Sequence, residues 1–138
     1  MSKLRLFLDR SIGTKKIARA LRELGLDVET IQDRYGEAAS TVSDEHWIHD
    51  ASRDQRILVG ADQRIRYNRL ERRALCLSSA RCFTFPRGDL SAVEMIDRLT
   101  RHLSEIERIW AEIEGPFVYH LTAGGVVSMR LDCADCLP

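Results

Sequence analysis

ILVGADQRIRY, residues 57–67, is the stretch that decides the fold. Its first three residues form a short continuous apolar run, which is typical of a strand at the centre of a parallel sheet covered on both faces. Such sheets bind ligands just beyond the carboxyl ends of their strands, and Asp62 follows the run at that position. The stretch therefore predicts an α/β protein with a functional edge at Asp62.

The amino-terminal part of the chain repeats this theme. LRLFLD, residues 4–9, reads as a strand that ends in Asp9. The apolar spacing over 13–24 predicts a helix that stops at a glycine, and a second strand follows over 26–31. Strand, helix and strand in this order predict a right-handed parallel βαβ unit, which brings Asp9 to the same edge as Asp62.

A third acidic stretch is SDEHW, residues 43–47. Ser43 suits a helix N-cap, and Asp44 and Glu45 in the first turn suit the positive end of the helix dipole. A helix over 44–53 is expected, and its start is predicted to lie at the edge that carries Asp9.

The remainder of the chain predicts three further elements after an arginine-rich helix over 68–77. They are a strand over 81–85, one long amphipathic helix from Ser91 to just before Gly115, and a hairpin over 117–131. The hairpin is expected to be an appendage to the α/β core. We expect one domain over 1–131 and a loose tail over 132–138.

Charge and composition exclude several classes. Lysine plus arginine equals aspartate plus glutamate, 21 each, so global charge does not indicate a nucleic acid or a membrane as partner. No apolar run approaches the roughly 20 residues of a membrane helix, and the first residues do not resemble a signal peptide. We expect the protein to be cytoplasmic. We also expect its four cysteines, Cys76, Cys82, Cys133 and Cys136, to be reduced thiols.

The acidic residues point to a metal. Asp9, Asp44 and Asp62 are far apart in sequence yet predicted to lie at one rim. Crowded carboxylates repel unless a cation or proton lies between them, so a hard divalent cation is the economical interpretation. For any one aspartate taken alone, a turn-forming role is the more common one, and only the three together favour a metal. Glu45 competes with Asp44 for the role, because both lie in the first turn.

Basic residues lie close to the predicted rim. A cationic wall beside an acidic pocket suits the binding of a phosphate backbone, although a solvated helix face explains the same composition. The candidates nearest the acids are Arg64, Arg66, Arg10 and Lys15, and the arginine-rich helix adds Arg69, Arg72 and Arg73. No glycine-rich phosphate loop is present, and the CxxC at 133–136 has no second cysteine pair to complete a zinc site.

Taken together, these stretches resemble the PIN-domain nucleases, and within them the VapC-like toxin branch. The resemblance rests on FLDRS (7–11), DEHWI (44–48), ADQRIRY (61–67) with the following LER, and GPF (115–117), and it covers residues 4–131.

The resemblance implies an α/β/α sandwich with a mainly parallel sheet and an endoribonuclease site that depends on Mg²⁺ or Mn²⁺. The acids of the family correspond to Asp9, Asp44 and Asp62. Many members carry a fourth acid, for which this chain offers only Asp89, so the number of metal ions stays open. The resemblance also implies RNA as substrate, a small antitoxin that inserts into the acidic groove, and a homodimer.

Two other classes remain as alternatives. A phospho-receiver domain also places acids after its first and third strands, but Arg10 stands where a receiver needs a second acid. An inactive PIN-like module that binds RNA or protein is the second alternative, and a metal-dependent cleavage assay separates it from a nuclease.

Overall fold

A six-stranded sheet forms the centre of the protein, in the order β2-β1-β3-β4-β5-β6. The computed structural model describes residues 4–12, 15–61 and 68–134. Neighbouring strands from β2 to β5 are parallel, and only the β5–β6 pair is antiparallel. The strands are β1 (Arg5–Leu8), β2 (Asp27–Thr30), β3 (Ile57–Gly60), β4 (Arg81–Thr84), β5 (Phe117–Leu121) and β6 (Val126–Met129).

Helices cover both faces of this sheet. They are α1 (Lys15–Glu23), α2 (Ile31–Tyr35), α3 (Asp44–Arg53), α4 (Arg69–Leu77), α5 (Ala92–Arg101) and α6 (Leu103–Glu112), with short 3₁₀ helices at Arg10–Ile12 and Gly36–Ser40. One core packs α1, α5 and α6 against the sheet, and the other packs α2, α3 and α4 against the opposite face. The predicted α/β/α sandwich is confirmed.

The strand order creates a crevice at the carboxyl ends of β1 and β3. The chain leaves β1 through α1 on one face and enters β3 from α3 on the other, so the connections diverge between these two neighbouring strands. Ligands of open parallel sheets bind at such a switch point. The crevice therefore begins at Asp9 on one side and at Ala61 on the other.

The segment between β2 and α3 is mostly helical, with α2 followed directly by the 3₁₀ helix at Gly36–Ser40. Thr30 caps α2 through a capping box, because its side chain accepts from the Asp33 N–H and the Asp33 carboxylate accepts from the Thr30 N–H. Partial burial raises the pKa of Asp33, but these hydrogen bonds and the Arg22 guanidinium outweigh that effect and hold it below its usual value.

The single long helix expected from Ser91 is wrong, because the structure divides it at His102 into α5 and α6. The Nε2 atom of His102 lies 2.8 Å from the Thr122 carbonyl oxygen, and Arg98 donates to the Leu121 carbonyl. Contacts with the end of β5 therefore accompany the break. The helical periodicity of the sequence does not predict these contacts.

The hairpin is not an appendage to the core. β5 pairs in parallel with β4, with Cys82 opposite Val118 and Thr84 opposite His120, and β6 then pairs with β5. Val118 is fully buried within the core on the α3 and α4 side. The hairpin is thus the continuation of the central sheet.

The expectation of four reduced thiols is also wrong. Cys76 on α4 and Cys133 form a disulfide, with their Cα atoms 5.8 Å apart, a separation that suits the bond. Cys82 is a buried free thiol, and burial raises its pKa. Cys136 lies outside the described residues.

None of the described helices combines the length and the apolar character that a bilayer span requires.

Candidate metal and nuclease site

Asp9 is fixed at the carboxyl end of β1. Its N–H donates to the Val59 carbonyl of β3, which continues the ladder one residue beyond the strand. Its Oδ1 atom accepts from the Ser11 N–H at 2.7 Å, and the Ser11 hydroxyl donates to the same oxygen. A carboxylate that accepts such bonds at only 8% exposure is held in one orientation by its surroundings.

Ser11 also joins the two strands that border the crevice. Its Oγ atom accepts from the Ala61 N–H at 2.9 Å, across 50 residues of sequence. One hydroxyl therefore bridges the Asp9 carboxylate after β1 and the backbone after β3. This contact brings the chain, at the residue preceding Asp62, beside Asp9.

Gly60 provides the space that the Asp9 carboxylate occupies. A Cβ atom added to Gly60 would lie 2.5 Å from Asp9 Oδ2 and 3.3 Å from Asp9 Cγ. Atoms this close overlap, so any larger residue at position 60 would displace the carboxylate. The glycine in β3 is thus required by the position of the acid in β1.

Asp44 lies on the same side of the sheet as Asp9. Its Oδ1 atom accepts from the indole Nε1–H of Trp47 at 2.8 Å, and the Trp47 ring stacks on Phe7 with centroids 5.3 Å apart. Phe7 is two residues before Asp9, so the two side chains point to the same face of β1. Since α3 runs back along the sheet to enter β3, its first residue stands at the carboxyl edge.

Arg10 fastens the loop before α3 to the end of β1. Its Nη2 atom donates to the carbonyls of Ala39 and Val42, at 3.0 and 2.9 Å. Val42 is two residues before Asp44. Arg10, which directly follows Asp9, therefore holds the loop that leads to Asp44. The partners of Arg10 are carbonyls, which leaves its positive charge without a neutralising carboxylate among the described residues.

Comparison with known proteins gives two matches. The model of the PIN like domain family matches residues 4–87, more than half of the chain. The chain belongs to the PIN-like domain family. It is also 35% identical over 123 residues, 88% of each chain, to the Mycobacterium tuberculosis (strain ATCC 25618 / H37Rv) protein named "Putative ribonuclease VapC45". No solved structure matches. The family resemblance drawn from the motifs, to a VapC-like PIN domain, is confirmed.

Of the other predicted site residues of this PIN-like domain, some lie outside the described residues and some lie within them. Asp62, Arg64 and Arg66 lie outside the described residues. Lys15 is exposed at the start of α1, and Glu45 is half-buried in the first turn of α3.

The candidate fourth acid, Asp89, is exposed in the loop after β4. That loop approaches the crevice, because a Cβ atom on Gly88 would lie 3.5 Å from the Ala61 carbonyl oxygen. Both oxygens of Asp89 accept from the Arg87 guanidinium, at 3.0 and 2.8 Å. This pairing lowers the pKa of Asp89.

The described part of the chain contains no cluster of three or more His, Cys, Asp or Glu side chains that could hold a metal ion. Two of the three predicted ligands, Asp9 and Asp44, lie in that part. Both are carboxylates, the donors that Mg²⁺ and Mn²⁺ prefer, and each is oriented by a hydrogen bond to a second residue. These residues fit a hard divalent cation.

Sequence reasoning missed the residues that hold the acids. Ser11 was not among the predicted site residues. An aspartate commonly accepts from the N–H two residues on, and that turn signal was available. The bond from Trp47 to Asp44 and the bonds from Arg10 to the loop before α3 left no comparable mark in the sequence.

Proposed function

We propose that this PIN-like domain is a metal-dependent endoribonuclease, the toxin of a toxin–antitoxin pair, which hydrolyses phosphodiester bonds of RNA. The observation that carries the proposal is the fixation of the Asp9 carboxylate at the β1/β3 crevice by Ser11 and by the space at Gly60. A surface aspartate with a turn-forming role alone would not need a glycine on the neighbouring strand. The ribonuclease name of the relative supports the same reaction class.

In this proposal Asp9, Asp44 and Asp62 hold Mg²⁺ or Mn²⁺, with Glu45 and Asp89 as further candidates. When bound, the cation supplies a water of lowered pKa as nucleophile and offsets the negative charge that builds on the phosphate.

The residues of the chain do the positioning. Ser11 fixes the rotamer of Asp9, and the Trp47 indole fixes that of Asp44. Arg64, Arg66, Arg10 and Lys15 are the candidates that grip the phosphates of RNA on either side of the bond to be cut.

The partner in this proposal is a small antitoxin that covers the acidic groove, and the toxin acts as a homodimer. Both statements rest on family membership.

The decisive test is cleavage of total RNA by purified protein, with and without Mg²⁺ or Mn²⁺, comparing wild type with Asp9→Asn. The matched control is Asp97→Asn, which removes an exposed carboxylate paired with Arg101 on α5. We expect Asp9→Asn to lose at least about 100-fold in rate, since loss of groups that merely orient ligands already costs 10- to 100-fold. Asp97→Asn should match wild type.

Each outcome separates the alternatives. Cleavage that requires both metal and Asp9 supports the nuclease. A well-folded wild type that cuts nothing with either metal favours an inactive binding module. An active Asp9→Asn or Asp62→Asn protein would show that the corresponding residue is not a metal ligand. Arg66→Ala should reduce the salt dependence of RNA binding, and an unchanged slope would leave Arg66 a surface charge.

A further inference from the structure

Three polar side chains are buried among the described residues, and all three lie in one row across the sheet. They are Asp9, Thr84 and His120, at 8%, 1% and 7% exposure. Thr84 on β4 is opposite Gly60 on β3 and His120 on β5 in the parallel ladders. Asp9 continues the β1–β3 ladder by one residue and therefore stands beside Gly60. The row thus runs from β1 to β5 at the carboxyl ends of the strands.

The whole row lies on the face of the sheet that α3 and α4 cover. Side chains alternate along a strand, so consecutive residues lie on opposite faces. Phe83 belongs to the core with α1, α5 and α6, whereas Cys82 belongs to the core with α3 and α4. Thr84 therefore shares the α3 and α4 face with Cys82, two residues before it. The same alternation along β1 and β5 places Asp9 and His120 on that face.

Gly60 leaves the middle of this row without a side chain. The Asp9 carboxylate leans into that space, since its Oδ2 atom lies 2.5 Å from the position that a Cβ atom on Gly60 would take. The Cβ atom of Thr84 stands on the other side of the same space, about 4.8 Å from that position, which is the usual spacing of neighbouring strands. Asp9 Oδ2 and the Thr84 side chain thus border one small space, at a separation that a single water molecule can bridge.

The Thr84 hydroxyl makes no hydrogen bond among the described residues, although its oxygen atom is fully buried. Buried polar groups in folded proteins are nearly always hydrogen-bonded, because an unpaired hydroxyl has lost its bonds to water without replacement. Ser11 already orients the Asp9 carboxylate through Oδ1, and Thr84 stands on the side of Oδ2. An unpaired hydroxyl beside a carboxylate predicted to bind a cation indicates that its partner arrives with the cation.

We propose that Thr84 is a positioning residue of the metal site, and that its hydroxyl forms a hydrogen bond with a water ligand of the divalent cation held by Asp9. A Mg²⁺ or Mn²⁺ ion bound by a few carboxylates keeps several water ligands, and the surrounding residues orient them. In this arrangement Ser11 orients Asp9, and Thr84 orients the water. This inference rests on the metal site of the proposed function. It adds a residue of β4 to a site whose predicted acids come from β1, α3 and the segment after β3.

The test is binding of Mn²⁺ by the purified protein without RNA, measured from the electron paramagnetic resonance signal of the free ion. Thr84→Val keeps the shape of the side chain and removes the hydroxyl, whereas Thr84→Ser keeps the hydroxyl. We expect Thr84→Val to weaken Mn²⁺ binding about tenfold, because loss of a group that orients a metal ligand costs roughly 10- to 100-fold in affinity. Thr84→Ser should bind Mn²⁺ like wild type.

The thermal midpoint without metal separates this role from a structural one. Removal of an unpaired buried hydroxyl relieves a cost in the fold, so Thr84→Val should melt at the wild-type temperature or up to about 5 °C above it. The matched control is Ser52→Ala. The Ser52 hydroxyl is also buried without a partner among the described residues, but it lies near the end of α3, at the opposite edge of the sheet. Ser52→Ala should keep its thermal midpoint and bind Mn²⁺ like wild type.

Three results would overturn the role of Thr84. The first is wild-type affinity for Mn²⁺ in Thr84→Val. The second is an equal loss of affinity in Thr84→Val and Thr84→Ser, because such a loss follows from repacking of the side chain and not from the hydroxyl. The third is a lowered midpoint of Thr84→Val without metal, which would assign the hydroxyl to the fold.

The measurement also separates this inference from the cleavage reaction. If Thr84→Val weakens Mn²⁺ binding in a protein that never cuts RNA, the proposed ribonuclease fails and the role of Thr84 stands. If wild type cleaves RNA with Asp9 and metal while Thr84→Val binds Mn²⁺ normally, the ribonuclease stands and the role of Thr84 fails. A wild-type protein that binds no Mn²⁺ would overturn both.

Discussion

Substitution of Gly60 by alanine should disable the site while leaving the fold. The new Cβ atom would lie 2.5 Å from Asp9 Oδ2, so the carboxylate must retreat by about 1 Å to reach ordinary contact. The atom in the way is the end of a side chain, which can rotate, and the Gly60 backbone does not have a positive φ. The strand can therefore accept alanine, but the displaced Asp9 carboxylate loses its hydrogen bonds with Ser11.

The energetic consequences of Gly60→Ala are modest for stability and large for catalysis. A hydrogen bond to a charged group contributes about 1.5–3 kcal/mol to the stability of the fold. Replacing glycine by alanine in a strand stabilises the fold by about 0.5–1 kcal/mol. The free energy of unfolding should fall by about 1–2 kcal/mol, a drop in Tm of roughly 3–8 °C. A misplacement of about 1 Å costs on the order of 100-fold in rate.

Three measurements test this reasoning: the thermal midpoint, the rise of that midpoint with Mn²⁺, and metal-dependent RNA cleavage. Gly124→Ala is the matched control, because no atom lies within 4 Å of the added methyl group. The Gly60→Ala protein should melt cooperatively, need more Mn²⁺ for the same rise in midpoint, and cleave poorly. Wild-type cleavage together with a wild-type response to Mn²⁺ would refute the requirement for a glycine beside Asp9.

Three further predictions concern stability. In Gly115→Ala the new Cβ would lie 2.2 Å from the carbonyl oxygen of Ser79, a backbone atom that cannot rotate away, so chemical denaturation should show a loss of about 1–3 kcal/mol or more. The Cys76–Cys133 disulfide closes a loop with a sequence separation of 57, so reductant should lower stability by about 2–4 kcal/mol, whereas a Cys133→Ser protein should melt identically with and without reductant. The pKa of Asp33 is lowered on folding, so its contribution to the free energy of unfolding is complete above the unfolded pKa near 3.9 and is lost as pH falls through the folded pKa. Asp33→Asn should cost about 0.5–2 kcal/mol at neutral pH and flatten the acid side of the profile of stability against pH.

The elements that carry or precede the predicted acids were identified correctly from the sequence because their signals are local. The apolar run over 57–59, the strand ending in Asp9 and the Ser43 cap each predict an element from a few adjacent residues, and the structure has β3, β1 and α3 there. The connection rule for parallel strands then brings their ends to one edge without any knowledge of contacts. The assignment of Asp62 as the third acid stays a prediction.

The hairpin and the divided helix were mistaken for the opposite reason. An antiparallel pair has the same alternating pattern whether or not it joins a sheet, so only the free edge of β4 decides that β5 extends the sheet. The break at His102 depends on a carbonyl at the end of β5, which periodicity over 91–112 cannot register. A cysteine pairing is likewise set by the approach of two segments, here α4 and the residues after β6.

The sequence by itself determined the α/β order, the parallel sheet, the family and the elements whose ends carry Asp9 and Asp44, because periodicity, caps and chain connectivity act over short stretches. Only the tertiary structure decided how those acids are held. Ser11 reaches Ala61 across 50 residues, Gly60 makes room for Asp9 from a neighbouring strand, and α1 faces the β2–α2 segment across a cavity. Each is a contact between residues distant in sequence, and such contacts exist only once the strands have paired.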